Sequence, residues 1–152
     1  MTSRLRPVLV GGLFTYSGLI LLLTLGAIPQ RLPGSQGNWG VLSIATWLDS
    51  ATWSTGWSGE FYANIALFVP WALLAVLAIG SRRWWWILAA GAAFSMTIEI
   101  IQIFSARISD PRDFVANTLG VVIGVAIGLL IRARSAATDP PERARPRVAV
   151  DA

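Results

Sequence analysis

Four blocks of apolar residues, Val8 to Ile28, Phe61 to Ile79, Trp84 to Phe104 and Phe114 to Ile131, divide this chain of 152 residues. Each is close to the roughly 20 residues that a helix needs to cross about 30 Å of hydrocarbon. A soluble alternative fails on composition, because 55% of the residues are hydrophobic and 13% charged, too few polar side chains to cover a water-exposed surface. The expected fold is all-α: a polytopic membrane protein with four transmembrane helices over residues 1–134, a short interfacial helix in the first external loop, and a disordered cytoplasmic tail over residues 135–152.

Residue types narrow the chemistry further. The chain has no Cys and no His, which removes thiol chemistry, disulfides, the commonest metal ligand and the usual base of neutral pH. Any acid or base must therefore be a carboxylate. No cofactor and no metal is expected; Asp110 and Asp113 are oxygen ligands for a hard cation only at a spacing that carries little weight. The isoelectric point near 11 does not indicate nucleic acid, because the arginines flank the apolar blocks and set orientation instead.

Arg4, Arg6, Arg82, Arg83, Arg132 and Arg134 border one side of the blocks, joined by Arg143, Arg145 and Arg147 of the tail. Arg31, Arg107 and Arg112 border the other. The positive-inside rule then predicts cytoplasmic termini, with the Trp-rich loop 29–60 and the Arg107 to Asp113 loop facing outward. The first block resembles a signal peptide, but it is too long for an h-region, and Pro29 to Pro33 offers no small-residue cleavage site, so a retained span is expected. Within it Gly11, Gly12, Gly18 and Gly26 suit close helix approach, and Thr15, Tyr16, Ser17 and Thr24 can bond to backbone or to neighbouring helices. In the first loop Trp39, Trp47, Trp53 and Trp57 lie among small polar residues, and Val41, Ile44, Ala45 and Leu48 recur at helical spacing. That pattern predicts a helix lying at headgroup depth.

Phe94 to Gly120 holds the polar groups that are costliest to place. Glu99 and Gln102 sit in an apolar helix, Arg107, Asp110, Arg112 and Asp113 crowd a short loop, and Asn117 opens the last helix. At 1.5 Å per residue, Asn64 lies about 6 Å below the outer end of its helix, Glu99 about 7 to 8 Å and Asn117 about 6 Å, so three helices deliver them to one depth. A carboxylate facing lipid costs on the order of 3 kcal/mol, so Glu99 is expected to face the bundle interior, with Arg107 as its counter-charge. Asp113 and Asn117 share a face that continues through Gly120, Gly124 and Gly128 as a seam of small residues. Asp113 also suits the first turn of a helix, and Glu99 a structural ion pair. Pro70 is expected to bend the second span near the polar level.

Asn64-Ile-Ala-Leu-Phe68-Val-Pro70, then Ile98-Glu99-x-x-Gln102, then Arg107-x-x-Asp110-x-x-Asp113-x-x-x-Asn117-Thr-Leu-Gly120, resembles the VanZ-like family, named for a teicoplanin-resistance protein. The resemblance covers about Phe61 to Ile131. It departs at Arg112, where the family is often acidic, and in the Trp-rich loop, which lacks the Asp-Lys and His features of some members. The resemblance implies a multi-pass protein of the bacterial cell membrane, tied to the cell envelope or to glycopeptide response.

Three functions fit these residues. In the first, an enzyme acts on a lipid or lipid-linked head group: Glu99 or Asp113 is the general acid or base, Arg107 and Arg112 hold phosphate, and Asn64, Gln102, Asp110 and Asn117 bind and orient the substrate. In the second, the same pocket sequesters a head group or a glycopeptide without transforming it. The third, a proton or ion path through Glu99, lacks polar groups in the deeper halves of the helices.

Overall fold

The computed structural model describes residues 5–26, 39–54 and 58–138. Helix α1 spans Leu5–Leu25. The first loop carries a 3-10 turn at Gly40–Leu42 and two short helices, α2 (Ile44–Leu48) and α3 (Ser50–Ser54). Helix α4 spans Ser58–Ile79, a second 3-10 turn at Ser81–Arg83 leads into α5 (Trp84–Phe104), and α6 spans Pro111–Thr138. Helices α1, α4, α5 and α6 are each long and apolar enough to cross a membrane, and no strand occurs among the described residues. The four apolar blocks thus become four spans of a multi-pass membrane protein.

Helices α4 and α6 form the most intimate pair, with α5 against α6 and α1 against α4. Lipid supplies no hydrophobic drive between helices, so close backbone approach and interhelical hydrogen bonds must hold them together. The Gly120, Gly124 and Gly128 seam provides the approach: a Cβ at Gly120 would run into the Ile65 carbonyl oxygen, one at Gly124 into that of Val69, and one at Gly128 would sit 2.8 Å from Val76 Cβ. Phe68, Ala72, Val76, Val121 and Val125 fill the space around this seam. At the far end of the pair, Arg132 donates from Nε to the Val76 carbonyl, which also accepts the Gly80 N–H, at 3.0 Å and from a terminal nitrogen to that of Leu77 at 2.6 Å, fastening α6 to the end of α4.

The glycines of α1 behave otherwise than expected. A Cβ at Gly11, Gly12 or Gly18 would meet nothing within 4 Å, so no helix approaches there. Polar side chains tie α1 to α4 instead: Tyr16 donates its hydroxyl proton to the Leu67 carbonyl at 3.0 Å, and Trp71 Nε1 donates to Ser17 Oγ at 2.9 Å.

Two element boundaries also differ from expectation. The single interfacial helix is split in two at Asp49, whose Oδ1 accepts the Ala51 N–H at 2.9 Å and so starts α3 afresh. Helix α6 begins at Pro111, where Asp110 caps it by accepting the Arg112 N–H on Oδ1 at 2.8 Å. It continues through Ser135 to Thr138, whereas the rest of the expected tail, like Arg4, Arg31 and Trp57, lies outside the described residues. Helix α4 runs through Pro70 without interruption. The loop aromatics rest on the ends of α5 and α6, Trp39 edge-on to Phe104 at 6.4 Å and Trp47 edge-on to Phe114 at 5.9 Å.

Candidate functional site

At the end of the bundle where α1 and α5 finish and α4 and α6 begin, a cavity of about 260 Å³ opens between the spans. Leu23 and Thr24 of α1, Glu60, Ala63, Asn64 and Leu67 of α4, and Glu99 and Gln102 of α5 line it. Arg107 and Ile108 of the following loop, with Asp113 and Asn117 of α6, complete the wall. Six residues singled out from the sequence, Asn64, Glu99, Gln102, Arg107, Asp113 and Asn117, therefore meet in one place. Asp110 and Arg112 are not part of the wall: Asp110 caps α6, and the Arg112 guanidinium lies 6.0 Å from the Phe61 ring centroid.

Each polar side chain is held by a neighbouring element. Glu99 is 1% exposed, and its Oε2 accepts the Asp110 backbone N–H at 2.9 Å. The Ser109 hydroxyl also bonds this carboxylate, and Ser109 Oγ accepts the Val41 N–H of the first loop at 3.1 Å. A chain of hydrogen bonds thus runs from the loop turn at Gly40–Leu42 to Glu99. Gln102 Nε2 donates to the Thr24 carbonyl at 3.1 Å, fastening α5 to α1. The Asn64 side chain bonds the Asp113 carboxylate, fastening α4 to α6. Asn117 Nδ2 donates to Ser95 Oγ at 3.0 Å, fastening α6 to α5.

Two features of this wall bear on chemistry. Three acidic side chains, Glu60, Glu99 and Asp113, share it with the guanidinium of Arg107, so acidic groups outnumber basic ones. Asn117 is 1% exposed, and its Oδ1 has no hydrogen-bond partner among the described residues. A buried acceptor left unpaired costs about 1–3 kcal/mol. No cluster of three or more His, Cys, Asp or Glu side chains placed to hold a metal ion occurs among the described residues.

Sequence reasoning missed three members of this arrangement. Ser95 and Glu99 are four residues apart and Gln102 three further on, one face of α5, so the helical period already marked Ser95. Glu60 reads as an acidic residue in the first turn of α4, and only the packing turns it toward the cavity. Ser109 carries no local signal, because its role depends on the first loop folding back over the α5–α6 connection.

No curated protein and no solved structure matches the chain. One family model does match, that of VanZ/LLP1, over residues 13–132. The match reaches from the middle of α1 into α6 and takes in every residue of the cavity wall, and the chain belongs to the VanZ/LLP1 family.

Proposed function

We propose that the cavity binds a lipid or lipid-linked head group at the depth of the outer leaflet and acts on it, with both termini of the chain in the cytoplasm. The orientation rests on the arginines: Arg82, Arg83, Arg132 and Arg134 flank the end of the bundle away from the cavity. In this scheme Glu99 or Asp113 exchanges a proton with the substrate, and Arg107 contacts phosphate. Asn64, Gln102 and Asn117 fix the pose, while Asp110 and Arg112 hold the start of α6, and with it Asp113, in register. The observation that carries the proposal is the convergence of Asn64, Glu99, Gln102, Arg107, Asp113 and Asn117 on one cavity wall, with Asn117 Oδ1 a buried acceptor that no described residue satisfies.

Non-catalytic sequestration of the same head group is the second reading. It is favoured by the way Glu99 and Gln102 already serve as ties between elements, a role that needs no proton transfer. Glu99→Gln separates the two, since it keeps shape and an acceptor for the Asp110 N–H but cannot act as acid or base. On the enzymatic reading, head-group turnover by purified protein in lipid falls about 10²–10⁴-fold while binding persists. Equal turnover by both forms removes Glu99 as the acid or base, and binding without turnover by the unaltered chain favours sequestration. Family membership extends either reading to glycopeptide response, checked by whether expression of the chain alters teicoplanin susceptibility.

A further inference from the structure

The cavity wall is divided by chemistry. Glu99, Gln102, Asp113 and Asn117, on α5 and α6, make that side of it polar throughout, whereas on α1 and α4 the apolar Leu23, Ala63 and Leu67 alternate with Thr24, Glu60 and Asn64. Leu23 is nonetheless 54% exposed, and Ala63 is exposed too, so at these two residues the wall of the cavity is also the flank of the bundle. Ala63 lies five residues into α4, about 7–8 Å below its end, so the opening is on the flank of an apolar span and not among the loops.

The ties between helices frame this opening. Tyr16 to Leu67 and Trp71 to Ser17 latch α1 to α4 below it, about 10 Å deeper along α1 than Leu23. Above that pair no hydrogen bond joins the two helices among the described residues. On the other flank of α1, Gln102 holds the Thr24 carbonyl and closes the way between α1 and α5. A volume of about 260 Å³ lies under the roughly 300–1,000 Å³ of pockets for drug-sized ligands, enough for a head group but not for an acyl chain.

We propose that the cavity is loaded from the membrane, through a lateral opening between α1 and α4 bordered by Leu23 and Ala63, and that its ligand is a membrane lipid whose hydrocarbon tail stays in the bilayer against those residues. The inference rests on the head-group reading of the cavity and adds the route and the anchored class of ligand. A head group bearing both a phosphate and an amine suits the wall: Arg107 meets the phosphate, and the carboxylates and Asn117 Oδ1 accept from the amine.

The test uses the full chain reconstituted in nanodiscs of phosphatidylcholine, with two probes: a diacyl phosphatidylethanolamine carrying a diazirine near the head of one acyl chain, and water-soluble glycerophosphoethanolamine. Irradiation is expected to place adducts on peptides containing Leu23 and Ala63. Leu23→Trp and Ala63→Trp, which put bulk in the opening, are each expected to cut lipid labelling at least ten-fold and to weaken glycerophosphoethanolamine binding by much less than they cut lipid labelling. Adducts spread evenly around all four spans, or lipid labelling undiminished in both Trp variants, overturn lateral loading while leaving the head-group reading intact if the soluble probe binds. Binding of neither probe by the unaltered chain overturns both.

Discussion

The backbone N–H of Asp110 donates to Oε2 of Glu99 at 2.9 Å, so the carboxylate in the last turns of α5 holds the very residue that caps α6. A carboxyl group in a membrane span is accommodated here because the chain folds its own hydrogen-bonding groups over it, Asp110 N–H and the Ser109 hydroxyl. The same contacts make Glu99 a structural as well as a chemical residue, and the two roles respond differently to substitution.

Glu99→Gln is expected to retain the α5–α6 connection, because an amide oxygen still accepts from Asp110. Glu99→Leu removes the acceptor and leaves the part-buried Asp110 N–H facing an apolar side chain, a loss of about 1–3 kcal/mol. Thermal unfolding in detergent should rank unaltered chain and Glu99→Gln close together and Glu99→Leu clearly lower. Equal melting of all three variants would show that the carboxylate contributes nothing to holding the connection.

The glycines make a sharper contrast. At Gly120 an added methyl meets the Ile65 carbonyl, which belongs to helix backbone and cannot swing aside, so α4 and α6 must separate. Gly120→Ala is therefore expected to lose about 1–3 kcal/mol, the usual cost of overpacking. Gly11→Ala, facing open space on α1, is expected to melt no lower than the unaltered chain and to gain slightly from the better helix propensity of Ala. Equal destabilisation by the two substitutions would contradict the α4–α6 seam.

These two sets of glycines also show how far the sequence could be read. Gly120, Gly124 and Gly128 repeat every four residues and announce a face, and that face is the one α6 presents to α4. Gly11, Gly12 and Gly18 suggest close approach too but lack that four-residue repeat, no helix meets them, and α1 is held by Tyr16 and Ser17 instead. Depth arithmetic on rigid helices brought Asn64, Glu99 and Asn117 to one level, because rise per residue is a property of the backbone alone. It could not place Arg112, which sits at a loop-to-helix junction where helix geometry fixes no direction, nor find Ser109, which links Glu99 to Val41 of a loop 68 residues earlier in the chain.

Orientation is directly measurable because the chain lacks cysteine. Leu42→Cys, at a 52% exposed position in the first loop, and Ala137→Cys, exposed near the end of α6, are expected to leave the fold untouched. In intact cells a membrane-impermeant maleimide should label Leu42→Cys at once and Ala137→Cys only after permeabilisation. The reverse pattern would place the cavity at the cytoplasmic leaflet and move the proposed ligand with it.

Ser95 and Asn117 offer the most exacting check on the cavity wall, since their side chains meet at 3.0 Å and both are buried, at 0% and 1% exposure. Ser95→Ala strands the Asn117 amide group, and Asn117→Leu strands the Ser95 hydroxyl, each at a cost of about 1–3 kcal/mol. The double variant strands neither, so the two losses should not add; a cycle of the four proteins is expected to give a coupling of about 0.5–3 kcal/mol. Head-group binding separates the members further. Ser95→Ala keeps Asn117 Oδ1 in the wall but lets the amide turn, weakening binding in part, whereas Asn117→Leu removes the acceptor that the ligand is expected to engage and should abolish it. Additive stability losses would mean that the two side chains do not depend on each other, and unchanged binding in Asn117→Leu would mean that the ligand does not reach the wall at that residue.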